Sequence, residues 1–385
     1  MSDILLYCSS AAVVLIIPVV YYVFCYRSER DVRPLSMRGS RWYGSRFFVL
    51  CNPISGKREG KRIVETVVQP WSKANNITLD VVYTEKQLHA HEIAAKSNLA
   101  LYEGILIVSG DGLVHEFMNG LASGYSRTSE YLKRLKMIPP IGIIPSGTCR
   151  GIAMSLHSAD PQVAMEKIMR GSPKGVDMYH VTSVDTRESN IDIWDVHYFS
   201  WAIFADASFM IEKKIRWIPR MLRETVAAIC VIGRRQVYRG TLYMDPVPMT
   251  SCQRKRRMYD DSNALTTVKT GPYKGQKVIS GSFVMFTAGS MPYATYDMKL
   301  LPSSLPNDGS IDVILMRGTA TRLQLLSVFL SLGDGSHVLS ESVEVYKVKS
   351  FTLLPESGNL DVSGELYPCA KVHVCAHKDC AKFIY

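Results

Sequence analysis

Ile105-Leu106-Ile107-Val108-Ser109-Gly110-Asp111-Gly112-Leu113-Val114-His115-Glu116-Phe117-Met118-Asn119-Gly120-Leu121 reads as a buried strand, a tight turn and a helix in direct succession. Four consecutive aliphatic residues leave no polar face, the pattern of a strand covered on both sides. Glycines on either side of Asp111 let the backbone approach a phosphate, and the helix opening there supplies N–H donors and a favourable dipole. Val114, Phe117, Met118 and Leu121 form the buried stripe of that helix, with His115, Glu116 and Asn119 on its other side. Taken alone, the turn also reads as a plain strand-to-helix connection. Two familiar phosphate loops are excluded. Gly56 to Arg62 has too few residues between its glycines for a Walker loop, and His115 stands where a dinucleotide fingerprint needs glycine.

The same rhythm extends outward. Phe47 to Cys51 is a short apolar run closed by Asn52-Pro53, and a helical stretch follows from about Gly60 to Lys73, with Ile63, Val64, Val67 and Val68 on one face. Ile77 to Tyr83 is β-rich, Glu85 to Leu99 is helical, and Ile141 to Ile144 is a third buried strand with a helix after it. Alternation of this kind predicts an α/β domain, a parallel sheet with helices on both faces, whose ligands bind at the carboxyl ends of the strands. Three such ends carry small polar residues and glycine: Asn52 to Gly56, Ser109 to Gly112 and Pro145 to Thr148. After about Gly175 the pattern changes to alternating runs: Val176 to Val184, Tyr198 to Phe204, Val237 to Met244, Ser282 to Ala288, Ile311 to Met316, Val343 to Leu354 and Lys371 to Cys375. Helical segments interrupt them at Pro219 to Arg235 and Thr321 to Leu332, and Pro246 to Lys277 reads as a long loop carrying Arg254-Lys255-Arg256-Arg257. This second half is expected to be a β-rich, sandwich-like domain.

With 47% hydrophobic and 21% charged residues in 385, the chain can bury ordinary cores and is not a disordered sequence. The net charge of +10 points to an anionic partner. Nine cysteines without regular spacing read as reduced thiols rather than a disulfide framework. Ile4 to Tyr26 is uncharged, mostly apolar and long enough to cross a bilayer as a helix. Arg27, Arg30, Arg33, Arg38, Arg41 and Arg46 follow it, so the positive-inside rule predicts a single-pass N-terminal anchor with everything after Tyr26 in the cytosol. The expected domains are thus an anchor (1–30), a basic linker (31–45), the α/β domain (46–175) and the β-rich domain (176–385). Cys369, His373, Cys375, His377 and Cys380 offer metal-ligand types, but their spacing fits no zinc pattern and alternates like a strand.

Asn52-Pro53-Ile54-Ser55-Gly56-Lys57, Tyr83-Thr84-Glu85 and Ser109 to Leu121 together resemble the diacylglycerol kinase catalytic superfamily, and within it the sphingosine kinases. Later pieces fit in order: Phe204-Ala205-Asp206, Tyr238-Arg239-Gly240, Asn307 to Val313 and Val362-Ser363-Gly364-Glu365-Leu366. The resemblance implies an ATP- and Mg2+-dependent lipid kinase acting on a sphingoid base such as sphingosine, with Asp111 as the general base. It places the nucleotide on Asn52, Ser55, Gly56, Lys57, Thr84, Ser109, Gly110, Gly112, Ser146, Gly147, Thr148, Gly364 and Glu365, with Glu116 orienting the catalytic turn. Arg216 and Arg223 are the candidates for phosphate contacts, and Asp206 and Ser208 for the lipid head group. Which residues hold a metal stays unassigned. The implied partners are a lipid drawn from the membrane and an anionic membrane surface, not a nucleic acid. Departures from the family pattern stand at Cys149 and Arg150, usually glycine and asparagine, at Ser208, usually an acid, and at Ser363, usually aspartate. They leave open a diacylglycerol or ceramide kinase, or a catalytically weak lipid- or nucleotide-binding pseudokinase.

Overall fold

The computed structural model describes residues 34, 36, 39–125, 128–185, 189–247 and 265–385. Strands β1 (Arg46–Cys51), β2 (Thr78–Tyr83), β3 (Gly104–Ser109) and β4 (Ile141–Pro145) are parallel and lie in the order β2-β1-β3-β4. Every residue of β3 and β4 is buried, as their unbroken apolar runs require. The chain leaves β1 to form β2 at the edge, then crosses back to lay β3 on the other side of β1. Loops leaving β1 and β3 therefore diverge, which opens a crevice at the carboxyl ends of these two strands. Helices α1 (Gly60–Ile63), α2 (Gln69–Ala74), α3 (His89–Lys96), α4 (Asp111–Ala122), α5 (Thr128–Met137), α6 (Gly151–Leu156) and α7 (Pro161–Arg170) surround this sheet. The apolar face of α4 enters the core through Val114, Phe117, Met118 and Leu121, beside Ile105 and Ile107 of β3. The sequence reading had no α5, because only Tyr131 and Leu135 of that polar segment are buried.

The second half is antiparallel. Its strands are β5 (Pro173–Ser183), β6 (Asp192–Asp195), β7 (Tyr198–Ala202), β8 (Tyr238–Pro246), β9 (Thr266–Thr267), β10 (Lys277–Gly289), β11 (Ile311–Arg317), β12 (Glu344–Pro355), β13 (Leu360–Val362), β14 (Glu365–Tyr367) and β15 (Val372–Ile384). The long strands β10 and β12 each pair with β11 at one end and with β8 at the other. Each changes register where it passes between partners, at Phe283/Met285 and Val348/Ser350, and such bulges let a strand turn the corner between two layers. Phe199, Trp201, Phe286 and Phe351 fill the space they enclose. Helices α8 (Ile203–Lys213), α9 (Arg220–Arg234) and α10 (Arg322–Leu330) cover a further core around Val284 and Ile314. β15 runs antiparallel to β5 and then meets β4 in parallel at Phe383 and Ile141, so one sheet runs through both halves.

Some expectations are corrected. No helix among the described residues is long and apolar enough to cross a membrane; the longest, α9, has 15 residues against the ~20 that a bilayer core requires. The transmembrane helix is therefore struck from the fold class, and with it the single-pass anchor and the membrane localisation built on it. Ile4 to Tyr26 lies outside the described residues, as does Arg254 to Arg257. The run Tyr198 to Phe204 is not all strand: Ala202 takes a left-handed φ of 65° and α8 begins at Ile203. Just before β1, Ser40 and Trp42 donate to the carbonyls of Met169 and Gly171, and Trp42 is buried.

Candidate active site

The glycine turns after β1, β3 and β4 meet backbone to backbone. A β-carbon on Gly147 would collide with the Gly110 backbone, one on Gly56 with the Ser146 carbonyl, and one on Gly110 would lie 2.9 Å from the Cys149 carbonyl oxygen. Gly56 also holds φ at 61°, a conformation that side chains resist. The hydroxyl of Ser109 donates to that of Ser55 at 3.2 Å, and Asn52 Oδ1 accepts the Ile54 N–H at 3.1 Å to set the first turn. The structure thus brings together Asn52, Ser55, Gly56, Ser109, Gly110, Ser146 and Gly147. The hydroxyl oxygen of Ser146 is buried and makes no hydrogen bond to any described residue. A cradle of close backbones at a helix N-terminus, with a spare buried hydroxyl, fits a chain of phosphates.

Asp111 opens α4 directly beneath this cradle and is 3% exposed. Its carboxylate accepts the backbone N–H of Gly151 at 2.8 Å and of Ile152 at 3.0 Å, so it caps the start of α6. His197 Nδ1 lies 4.0 Å from Asp111 Oδ2. Burial pushes the Asp111 carboxyl above its ordinary range, and His197 with the two N–H donors offsets only part of that rise. A raised carboxyl within reach of a phosphate site is suited to taking up a proton.

The polar side of α4 faces protein rather than water. Asn119 donates to the Trp194 carbonyl and accepts the Trp194 N–H, both at 2.9 Å, while His115 Nδ1 meets Asp195 Oδ1 at 3.0 Å. Asp195 also accepts the Tyr179 hydroxyl at 2.6 Å, the Ser363 hydroxyl at 2.5 Å and the His197 N–H at 3.2 Å. Burial opposes its ionisation, but His115, His197 and Ser363 outweigh burial and hold the carboxyl below its ordinary range. His115 is correspondingly raised: burial works against its charge, and the bond to Asp195 overcomes it. A second buried acid, Asp361, accepts the Ser208 hydroxyl at 2.5 Å and the Gly364 N–H at 2.7 Å, and burial raises its pKa to about 6. Both serines that stand in place of family acids, Ser208 and Ser363, therefore hydrogen-bond to a buried aspartate.

Other predicted residues are more dispersed. Asp206 accepts the Tyr238 hydroxyl at 2.7 and 2.8 Å and is also raised by burial. Thr84 is buried at the end of β2, with its N–H on the Cys51 carbonyl, whereas Lys57 and Thr148 are exposed. Glu116 caps α3 through the Ala90 N–H at 2.9 Å, and burial raises it. Arg150 ties its own loop, donating to the carbonyls of Gly147 and Ala159. Arg223 likewise donates to Ile218 and Arg216, both in the loop before α9, and Arg216 is exposed. Gly112 has open space around it, and so has Gly364, whose φ is 88° beside Ser363 at 52° and the exposed Glu365. Among the described residues no three metal-ligating side chains cluster to hold an ion.

Asp195, His197 and Asp361 were missed by the sequence reading. The available signal was faint: acids and a histidine inside short runs that otherwise read as β-sheet interior, Trp194 to Tyr198 and Leu360 to Val362.

The diacylglycerol kinase catalytic domain profile matches residues 46–181, and that of the YegS C-terminal NAD kinase beta sandwich-like domain matches residues 272–375. Sphingosine kinase 1 of Arabidopsis thaliana is 28% identical over 83% of this chain and 68% of its own. Sphingoid long chain base kinase 4 of Schizosaccharomyces pombe is 29% identical over 84% and 71%. A solved diacylglycerol kinase of Bacillus anthracis shares the fold, with a TM-score of 0.61 and 16% identity over 89% of this chain and 97% of that one.

Proposed function

Because the chain belongs to the diacylglycerol kinase catalytic superfamily and is a lipid kinase, we propose that it transfers the terminal phosphate of ATP to the hydroxyl of a sphingoid base. The observation that carries the choice of lipid is the pair Asp206 and Asp361. Both are partly or fully buried, both contact hydroxyls, and neither forms an ion pair with a described residue. Arg234 near Asp206 and His197 near Asp361 offset only part of the cost of burying these carboxylates, so an ammonium on the substrate would supply a direct partner. Sphingoid bases carry that ammonium; ceramide and diacylglycerol do not.

ATP would lay its phosphates in the cradle formed by Gly56, Gly110 and Gly147, against the N-terminus of α4 and the Ser146 hydroxyl. Mg2+ would enter with the nucleotide, neutralising charge on the phosphates. Asp111 takes the proton from the lipid hydroxyl as its oxygen attacks the γ-phosphorus, and the bridging oxygen departs with ADP. Positioning supplies most of the acceleration in such a transfer. The exposed side chains of Trp217, Leu222, Ile229, Leu323, Leu326 and Leu330, with the exposed Lys213, Lys214 and Arg216 just before Trp217 in sequence, support pick-up of the lipid from an anionic membrane surface.

The test is transfer from labelled ATP to sphingosine, ceramide and diacylglycerol, with Mg2+, by the wild type and Asp111→Asn. Sphingosine is expected to be preferred, and Asp111→Asn to bind ATP but transfer about 10³-fold more slowly. Preference for ceramide or diacylglycerol would overturn the choice of lipid. Undiminished transfer by Asp111→Asn would remove the base.

A further inference from the structure

We propose that His197 is a positioning residue that receives, through Asp111, the proton removed from the lipid hydroxyl; this rests on Asp111 being the base, as proposed above.

His197 is 1% exposed, and its Nε2 lies 2.7 Å from the Tyr293 carbonyl oxygen. A carbonyl only accepts, so Nε2 must carry the hydrogen. In the neutral ring, Nδ1 is then a bare lone pair. That atom is buried and makes no hydrogen bond to any described residue, and it stands 4.0 Å from Asp111 Oδ2. A buried polar atom without a partner costs about 1–3 kcal/mol, so it persists where something else depends on it.

The ring has little freedom to seek another partner. Tyr198 packs against it edge-on, with centroids 4.9 Å apart. The N-terminus of α6 presses on it from another side, where a β-carbon on Gly151 would collide with Nε2 and with the Tyr293 carbonyl. Ser155 of α6 in turn accepts the Tyr293 N–H at 3.1 Å, which fixes the loop that holds Nε2. One helix end thus clamps both members of the pair, since Asp111 caps the same two residues of α6.

Three carboxylates face the ring. Asp111 faces it from α4, Asp195 from the end of β6 and Asp361 from β13. A proton taken up at Nδ1 would thus sit among acidic side chains from three separate elements. In the step itself the lipid O–H bond breaks and its oxygen bonds to the γ-phosphorus. The bridging P–O bond then breaks, with its electron pair leaving on ADP. The proton reaches Asp111 Oδ2; the carboxyl, now neutral and held less firmly by the α6 N–H groups, closes the 4.0 Å to Nδ1 and gives the proton up there. Asp111 returns to its ionised form before the products leave.

The experiment is single-turnover transfer to sphingosine by wild type, Asp111→Asn and His197→Gln, each in mixtures of light and heavy water. Glutamine can still donate to Tyr293, so the variant removes the basic nitrogen and keeps the structural bond. A roughly 10- to 100-fold slower transfer is expected, with the KM for ATP within about twofold. The dependence on heavy-water fraction should change from curved in the wild type, where two protons move, to linear in His197→Gln. Transfer within twofold of wild type by His197→Gln, with Asp111→Asn inactive, would overturn the relay and leave the base standing. Activity retained by Asp111→Asn would instead sink the reading beneath it. Should His197→Gln not fold, a linear dependence in the wild type alone overturns the proposal.

Discussion

Gly147 and Asp361 show how single residues set this site. Gly147 has no room for a side chain because the Gly110 backbone lies against it. Gly147→Ala should force the turns after β3 and β4 apart at a cost of about 1–3 kcal/mol, and lower ATP affinity at least tenfold in a nucleotide-binding titration. Asp361 makes a different, pH-dependent contribution. Its carboxyl titrates near 6 in the folded protein because it is buried, against the ordinary carboxylate range when unfolded. The folded state therefore binds the proton more tightly. The stability this gives is fully present below about pH 4 and is lost as pH rises through about 6. Asp361→Asn should remove that slope: between pH 4 and 7 the wild type should lose about 2–3 kcal/mol relative to the variant in urea melts. The same substitution should raise the KM for sphingosine and leave the KM for ATP unchanged. An equal rise in both would argue against a head-group role.

At the level of elements, what could be read from sequence was what is local. β1, β3 and β4 announce themselves by runs of buried aliphatics, and the glycine turns follow them directly, so the cluster of glycine turns was legible. The acids of the second half were not. Asp195 reaches His115 across 80 positions and Asp361 reaches Ser208 across 153, pairings made by strand crossovers that leave no spacing in the sequence. The partners of the polar side of α4 were hidden for the same reason: nothing nearby in sequence shows that β6 covers it. At Ile4 to Tyr26 an apolar run with a basic flank suggested a span; that run lies outside the described residues, and no helix among these is long and apolar enough to cross a membrane. Helix α10 yields a test of its own. Leu323, Leu326 and Leu330 recur at the helical period on an exposed face. Leu326→Asp with Leu330→Asp should cut sedimentation with anionic vesicles several-fold, and slow phosphorylation of vesicle-borne sphingosine. Turnover of the same lipid in detergent micelles should be unchanged; a parallel loss in micelles would point to damage inside the fold.

Across the whole molecule, the feature with the widest reach is β15. It contributes Val372 and Val374 to the β-rich core and Phe383 to the core of the parallel half, where Phe383 is fully buried beside Ile141. Phe383→Ala should cost about 3–5 kcal/mol. A calorimetric melt should show both halves shifting together in one transition; two separated transitions would mean that the halves are independent. The position of β15 also bears on how the protein comes to be made. Phe383, which meets β4, is translated 238 residues after Pro145 closes that strand. At roughly 5–20 residues per second, the parallel half waits on the ribosome for about 12–48 s without this partner. A nascent chain in that state offers a free strand edge to whatever it meets, so chaperone engagement during synthesis should centre on β4 and end when the last strand emerges.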